Sequence, residues 1–288
     1  MSIARTNGSD LSKTPGEGFT VNFAEEVSEA VALRDATVVG RLLPVLRLVV
    51  KTWFRSEVSG IDRIPDGGAL LVSNHSGGFF APDVPVIAVA FADRFGSERP
   101  LFVLAHDLLF LGPAKHLMAR VGLVPANRRN AADVLRSGET TIVFPGGDYD
   151  AYRPTSQART IDFGGRTGYV QTALDADVPL VPIVSDGGQD VQLFLTRGEG
   201  LAALLRLEKT LRSKIAPLSF GVPFGLTLGL PPNLPLPAKI RTRVLDPIDI
   251  RAEFGPDPDV ADVDREVRAR MQTALDELAR KRRFPLLG

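Results

Sequence analysis

The sequence predicts an α/β fold: a mostly parallel central sheet flanked by helices, preceded by an N-terminal helical, membrane-associating segment. Three observations carry this. "ALLVS", "PLFVLA", "TTIVFP" and "VPLVPIV" are short apolar runs bounded by glycine, proline or charge, as buried strands are. Helix-like stretches separate them, and strands alternating with helices build a largely parallel sheet covered on both faces. Glycine-bearing loops follow the first and third runs, and sites in such sheets collect at the carboxyl ends of strands.

In chain order, residues 1–21 lack the apolar core of a signal peptide and read as a disordered tail. Residues 22–56 form a helical segment containing "VVGRLLPVLRLVVKTWF". Its aliphatics are interrupted by Arg41, Arg47 and Lys51, it ends on Trp53-Phe54, and Pro44 kinks it or starts a second helix. Two readings stand: a helix in a membrane interface, with basic side chains at the headgroups, or one packed on the protein's own core. Residues 57–288 form the α/β domain. Helices are expected over "DVPVIAVAFADRF", "DLLFLGPAKHLMARVG", "NAADVLRSG" and "RTGYVQTALDAD", and "SDGGQD" reads as a plain turn. In the Pro-rich segment "SFGVPFGLTLGLPPNLPLPAKIRTRVLDPIDI" prolines exclude helix, while "KIRTRVL" alternates like a strand. The last helix spans about Val260 to Arg283, and its "ARKRRF" end suits the helix dipole.

At 288 residues the chain has ample length for a core, and its 34 basic residues balance 34 acidic ones. That balance argues against a nucleic-acid binder. With no cysteine, a disulfide framework, a cysteine nucleophile and thiolate metal sites are excluded; three scattered histidines make no zinc pattern, so no metal is expected.

His75 directly follows the first predicted strand, in "SNHSGGFFAPD". A neutral imidazole takes a proton from an alcohol when a carboxylate orients it. Asp83 lies eight positions on; along one helix that would be about 12 Å, too far for a hydrogen bond. Pro82 fits a first helical position and not a helix interior. Ser76 to Ala81 are therefore expected to loop back, with the helix starting near Pro82 and Asp83 returned to the ring. Ser76 also invites a serine-nucleophile reading, although it lies in no Gly-x-Ser-x-Gly elbow. Arg128, Arg153 and Arg166 follow strand ends or glycine turns, where a guanidinium clamps phosphate or forms an ordinary surface ion pair. Gly146 and Gly147 either present N–H groups to an oxyanion or make a tight turn.

In order, these segments resemble the glycerolipid O-acyltransferases of the lysophosphatidate-acyltransferase type, over roughly Trp53 to Ile183. "NHSGGFFAPD" stands at the family's Asn-His-(four residues)-Asp motif, here with seven residues between His75 and Asp83. "DLLFLGPAKHLMARVGLVPANR" is similar to the second block, with Arg128 as its phosphate-binding arginine. "TTIVFPGGDYDAYRP" stands at the third, usually Phe-Pro-Glu-Gly-Thr-Arg, with Gly146 for the glutamate and Tyr149 for the arginine. "VPLVPIV" is similar to the fourth, near the acyl channel. The glycine resembles the diacylglycerol and phytyl-ester synthase branch, whose acceptors are neutral alcohols.

The resemblance implies acyl transfer from acyl-CoA or acyl carrier protein to a hydroxyl of a glycerolipid or other lipid alcohol. His75 would be the general base and Asp83 its orienting partner. Asn74, Ser76, Gly77, Gly78, Arg128, Gly146, Gly147, Arg153 and Arg166 would contact substrate. No cofactor is implied beyond the acyl-donor co-substrate. The implied place is the cytoplasmic face of a membrane, held peripherally. Two other readings are a non-catalytic lipid-binding or scaffold protein of the same fold, and a serine hydrolase.

Overall fold

The computed structural model describes residues 31–110, 114–208 and 214–284. The expected tail at 1–21 and the start of segment 22–56 lie outside the described residues.

The segment continues as helix α1 (Ala36–Leu48), capped by Asp35, and a π-helical turn over Val49–Trp53. Pro44 sits inside α1 and does not begin a new helix. Leu43, Val50 and Phe54 pack against Val86, Val89 and Ile240, whereas Leu42, Val45, Leu46, Val49 and Trp53 face outward. One stripe of this segment belongs to the core and the other does not.

Strands β1 (Glu57–Ser59), β2 (Ala69–Ser73), β3 (Leu101–Ala105), β4 (Leu123–Pro125), β5 (Thr140–Val143) and β6 (Leu180–Asp186) alternate with helices. These include α2 (Asp83–Phe95), α3 (Lys115–Arg120), α4 (Arg128–Arg136), α5 (Gly147–Ala151) and α6 (Gly168–Ala176). Then come β7 (Leu193–Thr196), α7 (Glu199–Leu204), β8 (Leu218–Gly221), β9 (Gly225–Leu228), β10 (Arg241–Val244), α8 (Ile250–Phe254) and α9 (Val260–Arg280).

The main sheet runs β1-β10-β6-β2-β5-β3-β4 and is parallel except where β10 meets β6 antiparallel. Strand alternation builds both of its layers. Leu70 and Val72 point to the cluster formed with α6 and α9, while Ala69 and Leu71 point to the cluster under α2. Both faces of β2 are therefore buried, which is why its sequence is unbroken apolar.

Two features depart from the sequence reading. The Pro-rich segment folds with β7 into a second, three-stranded antiparallel sheet, β7-β8-β9. The basic tail also does more than complement a dipole. The Arg282 side chain is fully buried; it pairs with Asp190 at 2.9 Å and donates to Lys239 O at 2.6 Å. Among the described residues no helix is long and apolar enough to cross a membrane.

Candidate active site

The site assembles where β2, β5 and β6 end. Asn74 locks two of these ends together: its Nδ2 donates to Ser185 O at 2.9 Å, and its Oδ1 accepts from Ser185 N–H at 2.8 Å. The side chain expected to touch substrate is thus a buried clamp between β2 and β6. His75 follows on this rigid platform.

The chain then turns back sharply. Gly77 adopts φ 82°, and a Cβ there would lie 2.4 Å from Pro82 Cδ, so only glycine lets the loop close on the proline. A 3-10 turn over Gly78–Phe80 leads to Pro82, which caps α2 and places Asp83 in its first turn. The result is the contact the loop reading required: His75 Nδ1 lies 2.8 Å from Asp83 Oδ2, with Asp83 fully buried. The Phe144 ring lies 4.4 Å from the imidazole at 34° and backs its face. Since Nδ1 is engaged by the carboxylate, Nε2 is the nitrogen placed to meet a hydroxyl.

A second carboxylate, unremarked in the sequence, holds the same histidine by its backbone. Asp150 Oδ2 accepts the His75 N–H at 2.6 Å, and Asp150 is completely buried. Its charge is matched by Arg153, three residues on, whose guanidinium also donates to the Thr160 carbonyl. Burial pulls Arg153 down to about 10, a value that leaves it charged at neutral pH. Asp150 also explains Gly146: a Cβ at that position would sit 2.3 Å from Asp150 Cβ. The glutamate usual there in the resembling family has no room. A signal existed in "GGDYDAY", where an acid four residues after the glycine falls one helical turn away.

Gln189, in the segment read as a plain turn, is another support. Its Oε1 accepts the Gly77 N–H at 3.2 Å, while its amide donates to Arg153 O. Gly188 permits this closeness, because a Cβ would lie 2.0 Å from Ser76 Oγ. Ser76 itself is buried, and its hydroxyl has no hydrogen-bond partner among the described residues. A nucleophilic serine needs its base within hydrogen-bond reach, so the serine-hydrolase arrangement is not assembled.

The three arginines take different places. Arg153 is 2% exposed and committed to Asp150, which removes it from the phosphate role. Arg166 braces the glycine loop, donating to Gly146 O at 2.7 Å and pairing with Asp148 at 3.2 Å. Arg128 is exposed at the start of α4, beyond β4, with its guanidinium 3.7 Å from where a Cβ on Gly168 would stand. Gly147, at φ 49°, donates its N–H to Phe144 O at 2.9 Å, so that group closes the turn. Gly78 packs on Phe194 and Tyr152, lining the loop's outer side.

This arrangement coincides with similarity to known proteins. Residues 55–186 match the acyltransferase family. An uncharacterized protein of Mycobacterium tuberculosis is 35% identical over 251 residues, covering 85% of this chain and 67% of that one. The "DGAT1/2-independent enzyme synthesizing storage lipids" of Mus musculus is 29% identical over 201 residues, covering 68% of this chain and 53% of that enzyme. The crystal structure of the 1-acyl-sn-glycerophosphate (LPA) acyltransferase PlsC from Thermotoga maritima shares the fold, with TM-score 0.53, 18% identity and 88% coverage of each chain. The chain belongs to the acyltransferase family. Its enzyme class is that of an acyltransferase.

Proposed function

We propose that the protein transfers a fatty acyl group from a thioester, acyl-CoA or acyl carrier protein, to the hydroxyl of a neutral glycerolipid or similar lipid alcohol. The observation that carries this reading is the 2.8 Å contact between His75 Nδ1 and the buried Asp83 carboxylate. His75 Nε2 removes the acceptor's hydroxyl proton as its oxygen attacks the thioester carbonyl. Asp83 holds the tautomer and stabilises the imidazolium that forms. The C–O bond forms first; the C–S bond then breaks, and the leaving thiolate takes the proton back from the imidazolium. The oxyanion falls to the N–H of Gly146, since that of Gly147 is engaged by Phe144 O; one such donor contributes about 3 kcal/mol in comparable sites.

A neutral acceptor fits the loss of two groups from the third block, the glutamate replaced by Gly146 and the arginine replaced by Tyr149. It fits the burial of Arg153 as well. The storage-lipid relative in Mus musculus supports the same class of product. The outward apolar stripe of α1, with exposed Arg41 and Lys51, supports peripheral attachment to a membrane. The test is thiol release across monoacylglycerol, diacylglycerol, long-chain alcohol and lysophosphatidate, with His75→Ala as control. Neutral acceptors should support turnover and His75→Ala should abolish it. Preference for lysophosphatidate would overturn the acceptor assignment, and near-native turnover by His75→Ala would overturn the mechanism.

A further inference from the structure

We propose that the sheet β7-β8-β9, with the Phe79–Phe80 pair beside it, seats the protein in the acyl-chain layer of an anionic bilayer leaflet. The inference rests on the lipid-acceptor reading above. Its basis is an inverted pattern. In a sheet packed on its own core, apolar side chains point inward. Here the inward side chains of β8 and β9 are polar, beside the one buried aromatic of β7, Phe194: the Ser219 and Thr227 hydroxyls lie 3.2 Å apart, Asn233 Nδ2 donates to Thr227 Oγ1 at 3.3 Å, and Gln192 donates to Ser219. All four polar residues are buried. The outward row is Leu193, Phe220 and Leu226, aligned across the strands by register and 45%, 53% and 60% exposed. Val222 and Phe224 extend it over the hairpin.

Water is a poor neighbour for such a face, and hydrocarbon a good one. From Ile215 to Ala238 the chain carries no charged residue and no histidine. Backbone groups near the hairpin are satisfied internally: Asn233 bonds Phe224 N–H and Gly225 O, and Leu234 N–H donates to Val222 O. The prolines of the returning segment have no N–H to leave unpaired. Hydrocarbon demands this kind of internal satisfaction, whereas a wet protein interface does not.

The patch is also continuous with other apolar surface. Trp53 Nε1 donates to Pro235 O at 3.0 Å, joining the hairpin's return to the outward stripe of α1, where exposed Arg41 and Lys51 suit anionic headgroups. On the opposite side the His75 loop reaches this sheet: Gly78 lies against Phe194 of β7, and the next two residues of the loop, Phe79 and Phe80, are exposed.

The chain has no cysteine, so Phe224→Cys accepts a single environment-sensitive fluorophore. With vesicles of equal parts phosphatidylcholine and phosphatidylglycerol, its emission should shift to the blue and be quenched by lipids labelled within their acyl chains. Phe224→Glu and Leu226→Glu should each weaken vesicle affinity about tenfold or more. Both should keep the native circular dichroism and native transfer to monoacylglycerol dispersed in detergent. The proposal is overturned if the fluorophore stays in water while the protein binds vesicles, or if the glutamate variants bind as the native chain does. It is also overturned if the blue shift occurs without vesicles and follows self-association in sedimentation, since a second copy would then cover the face. A native chain that binds vesicles but transfers no acyl group would refute the proposed reaction and leave this face standing.

Discussion

Replacing Asp150 by alanine removes two interactions at once. The His75 N–H loses its acceptor at 2.6 Å, an orphaned donor costing about 1–3 kcal/mol. The guanidinium of Arg153, 2% exposed, loses its carboxylate, and breaking a buried pair costs about 3–5 kcal/mol. The combined loss of about 4–8 kcal/mol rivals the whole stability of a domain, typically about 5–15 kcal/mol. Asp150→Ala alone should therefore unfold at much lower urea, measured by circular dichroism. The informative variant is Asp150→Ala/Arg153→Met, in which no buried charge is stranded. It should recover most of the stability, but the His75 backbone is still released. Its kcat should fall about 10- to 100-fold with KM little changed, equivalent to about 1.4–2.8 kcal/mol of transition-state stabilisation. A double variant with native kcat would show that Asp150 serves folding alone. An Asp150→Ala protein within about 1 kcal/mol of native stability would refute the buried-pair argument.

Two further substitutions separate the roles around the ring. Asp83→Asn keeps the volume of a fully buried side chain but cannot stabilise an imidazolium, so kcat should fall by about 100-fold or more, with the protein folded and KM preserved. A loss confined to KM would show that Asp83 acts on binding. Ser76→Ala should keep full activity and be neutral or slightly stabilising, because the buried hydroxyl it deletes has no partner; inactivity in a folded Ser76→Ala protein would restore the serine-nucleophile reading.

How much of the site was legible depended on sequence distance. Pro82 could only begin a helix, so the return of Asp83 to His75 followed from local backbone chemistry. The strands over Ala69–Ser73, Leu101–Ala105, Thr140–Val143 and Leu180–Asp186 were legible because a doubly buried strand writes its environment into an unbroken apolar run. The Arg153, Asn74 and Arg282 assignments were less so. Asn74 and Arg282 are polar residues whose partners, Ser185 and Asp190, lie in other elements. Arg153, although its partner Asp150 is only three residues away, is buried because that carboxylate meets the distant His75 backbone. Nothing in local patterning distinguishes such a residue from a solvated one. The second sheet was obscured for the opposite reason, since its alternation is present but turned inside out.

The sequence by itself determined the alternation of strands and helices, the glycine loops at strand ends and the backbone turn that joins the dyad, because periodicity, proline and glycine act within a few residues. Tertiary structure alone decided that Asp150 lies beneath His75 and excludes a side chain at Gly146, that β10 enters antiparallel, and that the hairpin sheet faces outward with its leucines. Those outcomes depend on which elements meet across long stretches of chain. Steric exclusion and charge pairing decide that meeting only when the fold has brought them within a few ångströms.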